Sequence, residues 1–199
     1  LPPGAGPDAA KERIVKIVVF KVTGLRPLLL HNPASMVRQS DGLITRKIPT
    51  PEVEAEASAY RDEDGVLYLP SIAFRSSMIG KGGGAMGRKV SKQTAAQIVS
   101  SCVFLSEERC RLIDPDTAEP LKTYEIDTRR AMVQNNGVLR SRPMLRKWAC
   151  LLALELDDER MNVKLLLELL NVSGRVAGVG DFRPQKRGMF GQFQVEVLP

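Results

Sequence analysis

Residues 126–156 read IDTRRAMVQNNGVLRSRPMLRKWACLLALEL, and three features of this stretch decide the fold class. QNNG, between TRRAMV and VLRSR, has the chemistry of a tight reversal, because Asn and Gly take left-handed backbone conformations at little cost. Its flanks predict a long antiparallel hairpin over about residues 126–145. WACLLALELD then reads as a buried strand, since it is apolar almost throughout, and Trp148 belongs with that core. Arg129, Arg130, Arg140, Arg142, Arg146 and Lys147 stand against one acid, Asp127, between Ile126 and Cys150, so the hairpin is predicted to be a basic finger.

Toward the C-terminus, DERMNVKLLLELLNVSGRV spaces Val163, Leu166, Leu167 and Leu170 near the helical period. A glycine-rich loop over 178–191 leads into QFQVEV, which alternates as a final central strand. Toward the N-terminus, RIVKIVVFKVTGL is a β-branched run suited to a first, central strand. LLLHNPASMVRQSDGLITRKIPTP predicts a loop or insertion with weak strands. EVEAEASAY is acidic and either helix or strand, RDEDG is a turn, and VLYLP is a short strand. SIAFRSSMIG opens a short helix after Pro70, and SKQTAAQIVSSCVFL runs from helix into strand. The sum is α+β: one domain over 1–199, an antiparallel sheet with helices on one face, and a disordered arm at 1–10.

The chain has 199 residues and a net charge of +6, with 29 Lys and Arg against 23 Asp and Glu. That balance suits a polyanionic partner, and it suits a merely soluble basic protein equally well. The cysteines, Cys102, Cys110 and Cys150, are odd in number, lack CxxC spacing and have no histidine nearby, which disfavours a disulfide scaffold or a zinc site. Asp114, Asp116, Glu119, Glu125 and Asp127 match no oxygen-ligand loop and read as solvated turn residues. No metal and no cofactor is expected. No apolar run approaches the roughly 20 residues of a bilayer span, and LPPGAGPDAAKER has no signal-peptide core, so a cytoplasmic protein without a membrane partner is expected.

Two glycine-rich segments invite nucleotide-binding readings that their own residues refuse. Gly82 and Gly87 have P-loop separation, but Arg88 takes the place of the phosphate lysine and no Ser or Thr follows to hold magnesium. GVGDFR has Arg183 at the third glycine position, and its loop follows a helix where a dinucleotide fingerprint must precede one. What remains is a nucleic-acid surface. From Pro70 to Ser106 there is no acid, while Arg75, Lys81, Arg88, Lys89 and Lys92 are basic; Ser71, Ser76 and Ser77 share the helix start. In the second segment Arg183, Lys186 and Arg187 could hold phosphates, with glycines letting a backbone come close and Phe182 and Phe190 as stacking faces. A hairpin whose aromatics return to the core competes with this reading.

YLPSIAFRSSM, then IDTRRAMVQNNGVLRSRPMLRKWACLLALEL, then GRVAGVGDFRPQKRGMFGQFQV resemble, in that order, the three conserved blocks of the RAMP superfamily, in particular the repeated backbone subunits of CRISPR effector complexes. Pro70, Ser71, Ile72, Ala73, Phe74, Arg75 and Ser76 occupy the places of the family's Pro-Gly-Ser-Ser-Leu-Lys-Gly-like helix start; Arg75 keeps the charge and adds a phosphate fork. The resemblance implies a modified ferredoxin-like or RNA-recognition-type core, a protruding thumb hairpin and a C-terminal glycine-rich loop. It implies head-to-tail homo-oligomers on single-stranded guide RNA, also when paired to target, with other effector subunits, in antiviral defence. The implied RNA-binding set is Ser71, Arg75, Ser76, Lys81, Arg88, Lys89, Arg129, Arg130, Arg140, Arg142, Phe182, Arg183, Lys186 and Arg187. Where relatives cleave RNA with a loop aspartate this chain offers Asp41, or Glu54 and Glu56, and where relatives use a histidine it offers His31. A non-catalytic subunit is expected; the alternatives are a stand-alone single-stranded DNA or RNA binder and a RAMP endoribonuclease.

Overall fold

The structure, a computed structural model, describes residues 15–34, 49–90, 92–133 and 136–199; the expected N-terminal arm, Asp41, the weak strands expected around it and the first two residues of the QNNG turn lie outside these. The elements in chain order are β1 (Val15–Gly24), β2 (Leu28–Leu29), α1 (Pro51–Ser58), β3 (Tyr68–Pro70), α2 (Ile72–Ile79), β4 (Lys89–Val90), β5 (Gln93–Thr94), α3 (Ala95–Cys102) and β6 (Val103–Leu105). They continue with β7 (Arg109–Ile113), β8 (Glu125–Val133), β9 (Asn136–Leu145), β10 (Ala149–Asp157), α4 (Val163–Val176), a 3-10 turn at Pro184–Lys186, and β11 (Phe193–Val197).

Alternation on β1 turns Val18, Phe20 and Val22 into the core and leaves Ile17 outside. Such a strand is stable only between two others, and β1 pairs antiparallel with β10 on one side and with β11 on the other. The main sheet runs β11-β1-β10-β7-β3, with β6 also on β10. β1, a helical segment, β6 and β7 (each pairing with β10), β10, α4 and β11 thus follow in the order of a ferredoxin-like antiparallel core.

α2, α3 and α4 pack together against that sheet. Phe74 of α2, Ile98 and Val99 of α3, and Leu166, Leu169 and Leu170 of α4 join the β1 and β10 residues in a single buried cluster. Phe74 meets Phe193 edge-on, with ring centres 5.3 Å apart at 83°. Burying each such side chain contributes about 2 kcal/mol. Asn162 starts α4 by accepting from the Leu165 N–H (2.8 Å). Trp148 is fully buried, and its indole N–H donates to the Arg26 carbonyl (2.9 Å).

β11 lies at the sheet's edge, whereas its alternating sequence reads equally well as a central strand. Its outer side is closed by a side chain. Asn171 of α4 donates to the Val195 carbonyl (3.1 Å) and accepts from the Val195 N–H (3.0 Å), satisfying an edge that would otherwise invite further pairing.

The predicted thumb is present. β8 and β9 pair from Glu125 with Met144 to Val133 with Asn136, and β2 joins β9 to make a separate three-stranded sheet. The acidic run that sequence leaves between helix and strand is α1, with Pro51 at its start and Glu52 and Glu54 in the first turn, where the helix dipole favours them. α1 packs on β9, at the root of the thumb.

Candidate nucleic-acid interface

The glycine-rich loop after α4 is folded tightly onto itself. Gly191 has φ +67°, and a Cβ there would lie 1.8 Å from the Val179 carbonyl oxygen. That carbonyl is so near because the Val179 N–H donates to Gly191 O (2.9 Å), while the Gly191 N–H donates to Pro27 O and Asp181 N–H to Leu29 O (2.8 Å each). In the other glycine segment Gly80, Gly83 and Gly84 are likewise packed, a Cβ on Gly84 lying 2.2 Å from the Ser173 hydroxyl of α4, whereas a Cβ on Gly82 or Gly87 would meet nothing closer than 3.9 Å. The packed glycines admit the protein's own backbone and side chains, and Gly82 and Gly87 leave open surface. The two segments also touch. Gln185 Nε2 donates to the Lys81 carbonyl at 2.5 Å.

The predicted cations divide into two groups once their partners are known. At the thumb's root, Arg140 pairs with Glu54 (2.9 Å), whose other oxygen accepts the Ser141 N–H (3.0 Å). Arg142, nearly buried, pairs with Asp181 of the glycine loop at 2.7 Å. Arg129 forms a two-pronged pair with Asp127, and its guanidinium lies 4.6 Å from the Phe190 ring centre and 5.7 Å from that of Phe182. Ion pair and stack together clamp the thumb to the glycine loop.

Further predicted contacts are likewise engaged inside the molecule. Arg75 donates from Nε to Val103 O (2.9 Å) and from Nη2 to Ser100 O (3.0 Å), closing the C-terminal end of α3. Arg88 forms a fork with Glu168 (2.8 and 3.0 Å), which holds that carboxyl below its ordinary range. Arg183 donates to Gly180 O (2.7 Å) and to Gln185 Oε1 (3.0 Å). Ser71 is buried with its hydroxyl 3.1 Å from the Cys110 sulfur, so it lies beneath the surface on which sequence places it.

Lys81, Lys89, Arg130, Lys186 and Arg187 are exposed and have no ion-pair partner among the described residues. The Gln185 bond joins the backbone of Lys81 to the turn that also carries Lys186 and Arg187, and Lys89 follows later in the segment of Lys81. Arg130 stands apart on β8. Ser76 and Phe182 are exposed; Phe190 is nearly buried.

Two concavities flank the glycine loop. A groove of about 730 Å³ between thumb and loop is lined by Arg26, Arg129, Met189, Phe190 and Gln192. On the loop's other side a cleft of about 250 Å³ is lined by His31, Tyr60, Ser76, Asp181 and Arg183. Burial lowers the His31 pKa, with Asp181 acting the other way and Arg142 reinforcing it, so the ring is neutral at pH 7. Its Nδ1 is sealed without a hydrogen-bond partner.

The carboxylates considered for cleavage have structural partners. Glu54 holds the thumb's root, and Glu56 pairs with Arg61 (2.6 Å) and accepts from Tyr124 (2.6 Å), which hold it below the ordinary carboxylate range. Burial and Glu56 push the Tyr124 hydroxyl up to about 12. Among the described residues no three His, Cys, Asp or Glu side chains cluster as metal ligands, and no helix is long and apolar enough to cross a membrane.

Arg26, Met189 and the clamp through Asp181 escaped sequence reasoning. Asp181 alone carried a signal, as the one acid between Gly178 and Val195. Arg26 and Met189 become neighbours only through the fold.

No family model and no curated protein sequence matches the chain. In structure it is similar to Cmr6 from Pyrococcus furiosus, with a TM-score of 0.50 over 92% of this chain and 99% of that one, at 11% identity. At that identity the likeness shows the fold alone, an α+β antiparallel core in agreement with the one expected from sequence.

Proposed function

We propose that this chain is a non-catalytic RNA-binding subunit that assembles head to tail along single-stranded guide RNA in a cytoplasmic CRISPR-type ribonucleoprotein. The observation that carries the reading is the junction of the two glycine segments, where Lys81, Lys186 and Arg187 lie exposed with no carboxylate partner among the described residues. A cation already paired in the protein must give up that partner to meet a phosphate; an unpaired one need not. Lys89 extends the strip, Ser76 and Phe182 border it, and Arg130 offers a second contact on the thumb. The fold shared with Cmr6 and the ordered sequence blocks support the same reading.

Affinity then comes mainly from phosphates, with log K falling by about 0.7 per contact for each tenfold rise in salt. The thumb, fixed to the loop by Arg142 and Asp181, is held stiff enough to act on the strand or on a neighbouring copy, or to meet other effector subunits. Sequencing the nucleic acid that copurifies with the protein tests the reading, together with RNA-against-DNA competition and electron microscopy of the complexes. Short RNAs of uniform length in regular filaments are expected. A clear DNA preference would make the protein a stand-alone single-strand binder, and RNA cleavage abolished by His31→Ala or Glu56→Ala would make it a nuclease.

A further inference from the structure

The cleft of about 250 Å³ beside the cationic strip has a polar inventory that can be worked through group by group. Tyr60 donates its hydroxyl to His31 O (3.2 Å), and Ser77 donates to Phe74 O (2.7 Å). Gln185 is engaged at both ends, by Arg183 and by Lys81 O. Asp181 accepts from Phe182 N–H through Oδ1 (2.8 Å), while its Oδ2 lies 2.7 Å from Arg142 Nε in an ion pair.

What remains among these side chains is rich in donors. Arg183 engages Nε and Nη1 within the loop and keeps Nη2; Ser76 keeps its hydroxyl; the neutral His31 ring keeps one N–H. Because Nδ1 is sealed and an orphaned acceptor costs less than an orphaned donor, that proton belongs on Nε2. The other walls, Leu30, Pro70, Ile72 and Val179, are apolar. The volume falls below the roughly 300–1,000 Å³ of drug-sized ligand sites, and suits one planar ring system between apolar walls.

We propose that the cleft takes one unpaired nucleobase of the bound strand and selects a keto base, uracil or guanine, through donors on Arg183, Ser76 and His31. This rests on the RNA-binding reading for its strand and on the cleft alone for its base. At the position where uracil has O4 and guanine O6 a keto oxygen accepts from such donors, whereas cytosine and adenine carry there an amine that donates. Sequence preference thus enters at one base, while the strip holds any strand.

Oligouridine and oligocytidine of equal length, compared by fluorescence anisotropy at one salt concentration, test the selection. About a tenfold preference for oligouridine is expected, equivalent to about 1.4 kcal/mol. Ala73→Leu, which narrows the cleft, and Ser76→Val, which removes a donor, should each reduce it to below about threefold with the salt slope unchanged. Circular dichroism checks their folding. Equal wild-type affinities, or a preference intact in both variants, would overturn the proposal. Independently of any strand, titration of free protein with uridine monophosphate should shift the Ala73, Ser76 and Val179 amides in NMR spectra where cytidine monophosphate does not. Equal shifts refute the cleft even if strands bind. Selective shifts without salt-dependent strand binding refute the wider reading and keep the cleft.

Discussion

The root of the thumb and the junction of the glycine segments are both basic, yet they use their charge in opposite ways. Arg129, Arg140 and Arg142 each meet a carboxylate, on the thumb itself, on α1 and on the glycine loop, and so fasten three parts of the molecule together. Lys81, Lys186 and Arg187 meet none among the described residues. Partly buried pairs demand a partner because an uncompensated charge there is costly, whereas exposed cations in water need none. Basic residues of similar density therefore do structural work in one region and remain available to a ligand in the other.

The comparison breaks most visibly where the two regions join. Gly191→Ala forces a side chain into the left-handed region against the Val179 carbonyl, and should cost about 4 kcal/mol by urea unfolding. Arg142→Ala leaves Asp181, whose side chain is 28% exposed, without its cation. After discounting for that exposure, about 2 kcal/mol of stability should go, and a double-mutant cycle with Asp181→Ala should recover much of it as coupling. Arg75→Ala uncovers two carbonyls at the end of α3 and should cost about 1 kcal/mol.

The smallest effect is one of pH. The folded state holds His31 below its ordinary value near 6.5, so the unfolded chain takes up its proton first as pH falls. This contribution to stability is full above that value and declines from 6.5 down to the folded pKa. Comparing unfolding midpoints across this window for the wild type and His31→Phe should show a shallower decline in the variant.

Sequence made the hinge-free parts of the fold readable because their signals are local. QNNG with its flanks declares the thumb, and the spacing of Val163, Leu166 and Leu170 declares α4. The edge position of β11 was hidden, since the closing group, Asn171, lies 24 residues from Val195. The charged residues were legible as a surface chemistry and illegible as a site. Nothing local says that Arg142 will meet Asp181, or that Arg75 will close α3, because those partners are brought in by the sheet and the loop. Glycines divide in a similar way: Gly180 and Gly191 are used for close packing, while Gly82 and Gly87 stand in open space, and their density in sequence does not tell the two apart.

The salt dependence of single-stranded RNA binding tests the division most directly. In Lys81→Ala/Lys186→Ala/Arg187→Ala the slope of log K against log salt should fall by about 2, three contacts at roughly 0.7 each, with stability unchanged. Arg140→Ala should lose stability and keep the wild-type slope. A triple variant with the wild-type slope, beside a flattened slope in Arg140→Ala, would contradict the account and move the strand to the thumb's root.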